Sequence, residues 1–313
     1  MKKSLCMFLL LCTLILIVGG CSKNEATESE ESKYNRAFDL IEAGDHAAAY
    51  DLLNELGNYK DAAEQLSLFR YVFKSVEYVD TNGTVLASTT AQYNKQYLPT
   101  QLISNYGEGE FVDEEYSYDE NNNLIERTFS GMSVPFSIEY SYDSNGQLIK
   151  STDTIYTYDD SGKLIKETTP HLLNREVNYT YDTAGNLIKE VWSGISNIVI
   201  EYAYDNNNNR IKDIRTDYDY EFDDNGDPLP VISTIEYSYD AEGKLIKSVQ
   251  TDPYFEIYYE TTYEYDANGN IIKYIQTDSE GTQSIAILKY ERAYIPFVLS
   301  EQIEKIITFS PYQ

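Results

Sequence analysis

The sequence predicts a mainly β protein: an open or partly coiled stack of antiparallel β-hairpins, with a small N-terminal α-helical neck. Three observations carry this reading. A Tyr-rich strand runs into an Asp-led turn and returns with an apolar residue six positions after the Asp, nine times along the chain. A stretch of helical periodicity stands before the first of these units, and a short apolar run stands before that. Internal repeats of this kind outrank any residue-level signal in deciding architecture.

The chain opens with Lys2 and Lys3, an apolar run over residues 5–18, and Gly19-Gly20-Cys21. A charged start, a short hydrophobic segment and small residues are the parts of a secretory signal peptide, and the run is short for a membrane span. Val18-Gly19-Gly20-Cys21 resembles a bacterial lipobox. Residues 1–20 are therefore expected to be removed and Cys21 lipidated, which makes the lipid membrane a partner and places the protein on the extracytoplasmic face. The other two cysteines, Cys6 and Cys12, lie in the apolar run, so the mature body has no thiol for a disulfide or metal site. Residues 21–32 are polar and acidic, without apolar periodicity, and read as a flexible tether.

Residues 33–73 read as the neck. Ala37, Phe38, Leu40 and Ile41 have helical spacing; Gly44 ends that helix and Asp45 caps the next. Ala48, Leu52, Leu53 and Leu56 form a second stripe, and residues 58–73 a third helix. The segment around Leu40–Ala49 resembles the helix-turn-helix of tetratricopeptide-type repeats. Its expected role is to cover the first edge of the β stack, because a bare edge invites aggregation.

Residues 74–313 hold the hairpins. The turn aspartates are Asp80, Asp119, Asp143, Asp159, Asp182, Asp205, Asp223, Asp240 and Asp266. Three residues later stands Gly in seven units, and Asn122 or Asn208 in the other two. Asp suits the first position of a type I turn, and Gly or Asn suits the left-handed residue that closes a three-residue loop. Gln92–Leu98 reads as a degenerate further unit. With this loop Asp143 pairs with Gln147, Tyr142 with Leu148, and Tyr140 with Lys150. One face then carries Tyr and Lys stems; the other carries the apolar residue six after each Asp, expected to be the more buried row. Nine hairpins give eighteen strands, and the uneven connections argue for an elongated, open sheet, with residues 290–312 closing its far end.

The net charge of −28 disfavours nucleic acids and anionic surfaces as partners. Catalytic constellations are missing. The two histidines, His46 and His171, have no local nucleophile, and the acid pairs sit at turns; no enzyme is expected. The one cofactor suggested is weak Ca2+ at Asp223-Asp224-Asn225-Gly226-Asp227, whose oxygens suit a hard cation but lack an EF-hand's distal Glu. Pro228 and Pro230 mark that unit as irregular.

Tyr-x-Tyr-Asp-x-x-Gly-x-Leu, as in Tyr179, Tyr181, Asp182, Gly185 and Leu187, resembles the YD repeats of Rhs and teneurin-type proteins over residues 77–292. That resemblance implies a β-rich spiral shell and an association with carbohydrate and cell-surface recognition. The expected function is a membrane-anchored, non-enzymatic binding or display module that contacts glycan or an envelope protein. The binding residues expected are Tyr140, Tyr142, Tyr179, Tyr181, Tyr237 and Tyr239, with Trp192 as an exposed aromatic on a connection. The alternative is a purely structural spacer whose Tyr rows are covered by Lys stems.

Overall fold

A computed structural model describes residues 28–107, 109–131, 133–171 and 174–296. Cys21, the expected signal peptide over residues 1–20 and most of the chain after Tyr294 lie outside these. Three helices come first: α1 (Glu30–Ala43), α2 (His46–Leu56) and α3 (Ala62–Leu66). Ser29 caps α1 and Asp45 caps α2 through their side chains, and Gly44 ends α1 in the left-handed conformation at φ 82°. Ala37, Leu52, Leu53, Leu56 and Ala62 form the small core between them. α1 already includes residues assigned to the tether. α3 is one short turn, and Phe69–Phe73 belong to the first strand, not to a long third helix.

Eighteen strands follow among the described residues. The first nine are β1 (Phe69–Val79), β2 (Val85–Tyr93), β3 (Pro99–Asn105), β4 (Glu110–Tyr118), β5 (Leu124–Phe129), β6 (Phe136–Tyr142), β7 (Leu148–Ser151), β8 (Thr154–Tyr158) and β9 (Leu164–Thr169). The rest are β10 (Arg175–Tyr181), β11 (Leu187–Ser193), β12 (Ile198–Tyr204), β13 (Arg210–Phe222), β14 (Pro228–Tyr239), β15 (Leu245–Asp252), β16 (Ile257–Tyr265), β17 (Ile271–Asp278) and β18 (Gln283–Tyr294). Each pairs antiparallel with its sequence neighbour, and β18 pairs with β1 from Phe69↔Tyr294 to Val79↔Ile285. The sheet is thus a closed up-and-down barrel, and the expected open stack is wrong. The uneven spacing of the repeats changes strand and connection lengths without interrupting the pairing, so it does not prevent closure. Curvature comes from a bulge repeated beside the Asn94, Asp119, Asp143, Asp159, Asp182, Asp205, Asp240, Asp266 and Asp80 turns, between Ser141 and Tyr142 for example. With no free edge, the neck is not an edge cap; it packs over the β1–β18 seam. The Tyr294 amide donates to His46 Nδ1 at 2.9 Å, and the His46 ring lies against Tyr97 and Phe69.

The turns have the expected chemistry. Asp143 exchanges backbone bonds with Gln147 and Gly146, and its Oδ1 accepts from the Asn145 and Gln147 amides at 2.8 and 2.9 Å. Gly146, Gly185 and Gly243 have φ of 81°, 96° and 82°. The degenerate unit is real: Asn94 accepts from the Gln96 and Leu98 amides, with Tyr97 left-handed at φ 57°. Asp278 makes a further turn of the same type with Gly281.

The register differs from expectation by one residue beyond the bulge. Tyr142 opposes Leu148, but Tyr140 opposes Ser151 and Ser141 opposes Lys150. The bulge at Ile149 sends both Ile149 and Lys150 away from the Tyr face. The burial order is therefore the reverse of that expected. Ile149 is 41% exposed, and Leu86, Ile125, Ile165, Ile211, Leu229 and Ile246 are exposed likewise. The Tyr rows are half-buried or buried. Side chains converge on the concave face of a closed sheet, so the more buried Tyr face is the inner wall, and this geometry outweighs the intrinsic preference of Ile for burial. The Lys row faces out and pairs with acids on neighbouring strands, as in Lys212–Glu236 at 2.6 Å and Lys247–Glu260 at 2.6 Å. It cannot cover the Tyr rows.

Candidate binding surface

Antiparallel alternation sorts the turns between two ends. The Asn94, Asp119, Asp143, Asp159, Asp182, Asp205, Asp240 and Asp266 turns join even strands to odd ones and lie at the neck end. The Asp80, Asp223 and Asp278 turns join odd strands to even ones and lie at the other end. The residue before the turn marks the difference. It is Tyr in every unit at the neck end, and Val79, Phe222 and Thr277 at the far end.

Those tyrosines bind one unit to the previous one. Tyr118 donates to the Pro99 carbonyl, Tyr142 to Leu124, Tyr158 to Leu148, Tyr181 to Leu164, Tyr204 to Leu187, Tyr239 to Arg210 and Tyr265 to Leu245, at 2.6–2.8 Å. Each acceptor stands five residues after its own turn residue. The result is a ladder of hydroxyl-to-carbonyl bonds around the neck-end rim, made possible because the repeated bulge presents the same carbonyl each time.

The earlier Tyr of each unit makes a second inner layer. Tyr179 donates to Glu167 at 2.8 Å, Tyr202 to Glu190 at 2.5 Å and Tyr237 to Asp213 at 2.6 Å. Tyr156 shares a bond with Ser151, and Tyr263 with Ser248. Arg127 holds Glu114 through two bonds at 2.7 and 2.8 Å. Burial first, and the adjacent carboxylate second, hold the Tyr179, Tyr202 and Tyr237 hydroxyls far above the ordinary phenol range. They remain donors at any physiological pH. The acidic and basic members were not foreseen, although a signal exists: Arg127, Ser151, Glu167, Glu190, Asp213 and Ser248 all stand eight residues after a turn Asp.

The expected site residues all lie on strands of the inner wall but are not brought together. Tyr140 and Tyr142 are on β6, Tyr179 and Tyr181 on β10, and Tyr237 and Tyr239 on β14, so three strands separate each pair from the next. Trp192 is in β11, not on a connection, and is half-buried. Its Nε1 donates to Glu190 at 2.9 Å, and the Arg175 guanidinium lies 4.5 Å from its ring. At the proposed Ca2+ turn the Asp223 carboxylate is occupied by the Asn225 and Asp227 amides at 2.8 and 2.9 Å, while Asp224 is exposed. Among the described residues no three His, Cys, Asp or Glu side chains are grouped to hold a metal.

A family model described as Teneurin YD-shell matches residues 63–222. No curated protein matches the chain. Solved structures with likeness include the Photorhabdus luminescens Tc holotoxin pore carrying the TccC3-D651A mutation, 14% identical over 68% of this chain and 15% of that one, with a TM-score of 0.25. A TcdB2-TccC3-TEV structure is 13% identical over 74% of this chain and 16% of that one, with a TM-score of 0.24. This chain thus spans only about one sixth of either protein. A porin-like protein from Bacteroides uniformis is 13% identical over 70% of this chain and 96% of that one, with a TM-score of 0.35.

Proposed function

The chain belongs to the teneurin YD-shell family, and from that premise we propose that it is a lipid-anchored, non-enzymatic module of the cell envelope that binds glycan on the inner wall of its barrel. The observation that carries the reading is the placement of the Tyr rows. They line a concave face and the lysines seven residues after the turn Asp point outward, so the rings not covered by cation contacts such as Arg210–Tyr202 and Lys163–Tyr181 can stack on sugar C–H surfaces. The Val18-Gly19-Gly20-Cys21 motif supports the anchor. The outward Lys–Glu pairs support a barrel that stands in water, since a lysine on a lipid-facing barrel wall costs about 2–4 kcal/mol at mid-membrane.

A second reading, a spacer without a small ligand, is favoured by the ladder itself. The rim hydroxyls are committed to carbonyls, as structural bonds would be.

One two-armed experiment tests the proposal. Native chain and Cys21→Ala are fractionated, and the detergent-extracted native chain is screened against neutral glycans and envelope fractions. Membrane retention lost on Cys21→Ala together with glycan capture is the expected outcome. Retention of Cys21→Ala removes the anchor, and absence of any glycan capture leaves the spacer.

A further inference from the structure

We infer that the inner wall of β13–β17, toward the end opposite the neck, is an oligosaccharide groove with two adjoining subsites that share Gln250. The inference rests on the glycan reading above and gives it a location that none of the expected site residues occupies.

Two cavities meet there. One, of about 230 Å³, lies between β13, β14 and β15 under Tyr220 and Phe255. The other, of about 250 Å³, lies between β14 and β17 under Tyr259 and Tyr274. Gln250 lines both. Joined, they fall within the roughly 300–1,000 Å³ of small-ligand sites.

The outer subsite is held in shape by local irregularities. The register breaks between Asp217 and Glu221. The Tyr220 and Phe255 rings, 5.2 Å apart at 89°, belong to an exposed aromatic group with Tyr254. Asp252 accepts from the Tyr254 and Phe255 amides at 3.1 and 3.2 Å, and Glu256 is left-handed at φ 55°, which fixes the turn carrying Phe255. Asp217, 5% exposed, is neutralised by Arg215 at 3.0 Å.

The polar chemistry of this region differs from the rest of the wall. Elsewhere the inward polar groups pair with one another, as Tyr179 does with Glu167 and Arg127 with Glu114. Here Gln250, Gln276 and Ser233 line the cavities and make no side-chain hydrogen bond among the described residues. Amides and hydroxyls are both donors and acceptors, which matches sugar hydroxyls, and the flanking rings match the apolar face of a pyranose. The chain's net charge of −28 disfavours uronates and sulfated sugars. The ligand class is therefore a neutral oligosaccharide of at least two hexose units.

The test uses the full-length chain in detergent, titrated calorimetrically with neutral di- and trisaccharides taken from the glycan screen and with sulfated counterparts. Gln250→Ala and Phe255→Ala should each weaken the neutral sugar at least tenfold with unchanged melting temperature, and Lys212→Ala, on the outer wall, should leave binding intact. Sulfated counterparts should bind at least tenfold more weakly than the neutral sugars. If a variant melts early, Phe255→Leu and Gln250→Glu replace it. Neutral sugar binding that survives both groove substitutions overturns the groove and leaves the glycan reading standing. Equal or tighter binding of the sulfated sugars overturns the ligand class, and no sugar binding by the native chain overturns groove and reading together.

Discussion

Tyr181 shows how one hydroxyl is used in this barrel. It donates to the Leu164 carbonyl of the preceding unit at 2.8 Å, and six other rim tyrosines do the same for their neighbours. Tyr181→Phe keeps the ring and leaves that carbonyl without the hydroxyl. The expected loss is about 1 kcal/mol, the net value of such a bond, read as a lower urea midpoint with an unchanged slope. Phe222, which occupies the same position before the Asp223 turn, carries no hydroxyl in the native chain. Phe222→Tyr should therefore gain nothing, since the far end has no ladder to join.

At the scale of the element, turns and neck respond to acid in different windows. Amide hydrogen bonds hold the turn carboxylates, Asp143 and Asp223 among them, below their ordinary range. A depressed carboxylate gives stability that is present above the unfolded value, about 3.9, and is lost as pH falls through the folded value. Asn94 serves the same turn without a charge, so Asp143→Asn should fold and flatten that acid limb. His46 works at higher pH. Burial pushes it below its ordinary range, against the opposite pull of the Ile41 carbonyl, Glu291 and Asp45. Its neutral form accepts from the Tyr294 amide. Its contribution is present above about 6.5, the unfolded value, and is lost as pH falls through the lower folded value. As pH falls below about 6.5 the neck should loosen from the barrel seam, seen as faster proteolysis at α1–α3, before the turns respond. His46→Phe should remove that pH dependence.

Closure is the property of the whole molecule, and it can be tested directly. Glu77 and Ile287 stand opposite each other across the β1–β18 seam, though 210 residues apart in the chain. Glu77→Cys with Ile287→Cys should oxidise to an internal disulfide in nearly all molecules, detected as a cross-linked peptide by mass. An open stack would keep those strands at opposite ends and leave the thiols free. The exposed row of Ile149, Ile165 and Ile246 is also a property of closure. A flat sheet gives its two faces equal room, whereas a barrel crowds the inner face and opens the outer one.

The hairpin and its turn were decided by the sequence alone. Asp, Gly and Asn are the residues that the turn geometry demands, and their demands are local, so they could be read at Asp143, Gly146 and Asn122 without any partner strand. The strand count did not follow from them: the Asp205, Asp223 and Asp240 hairpins share β13 and β14, while β3 and β18 follow the Asn94 and Asp278 turns. The two ends of the barrel were also legible in Tyr181 against Phe222, had the residue before each turn been compared, and the eighth residue after each turn held the inner charges. Tertiary structure alone decided the rest. The bulge at Ile149 reversed which row is buried, and bulges depend on cross-strand pairing, not on composition. The pairing of β18 with β1, the seating of His46 on Tyr294, and the meeting of Gln250 with Phe255 and Gln276 join residues on different elements. Such contacts are set by how far the sheet curves as a whole, a sum over eighteen strands that no single repeat contains.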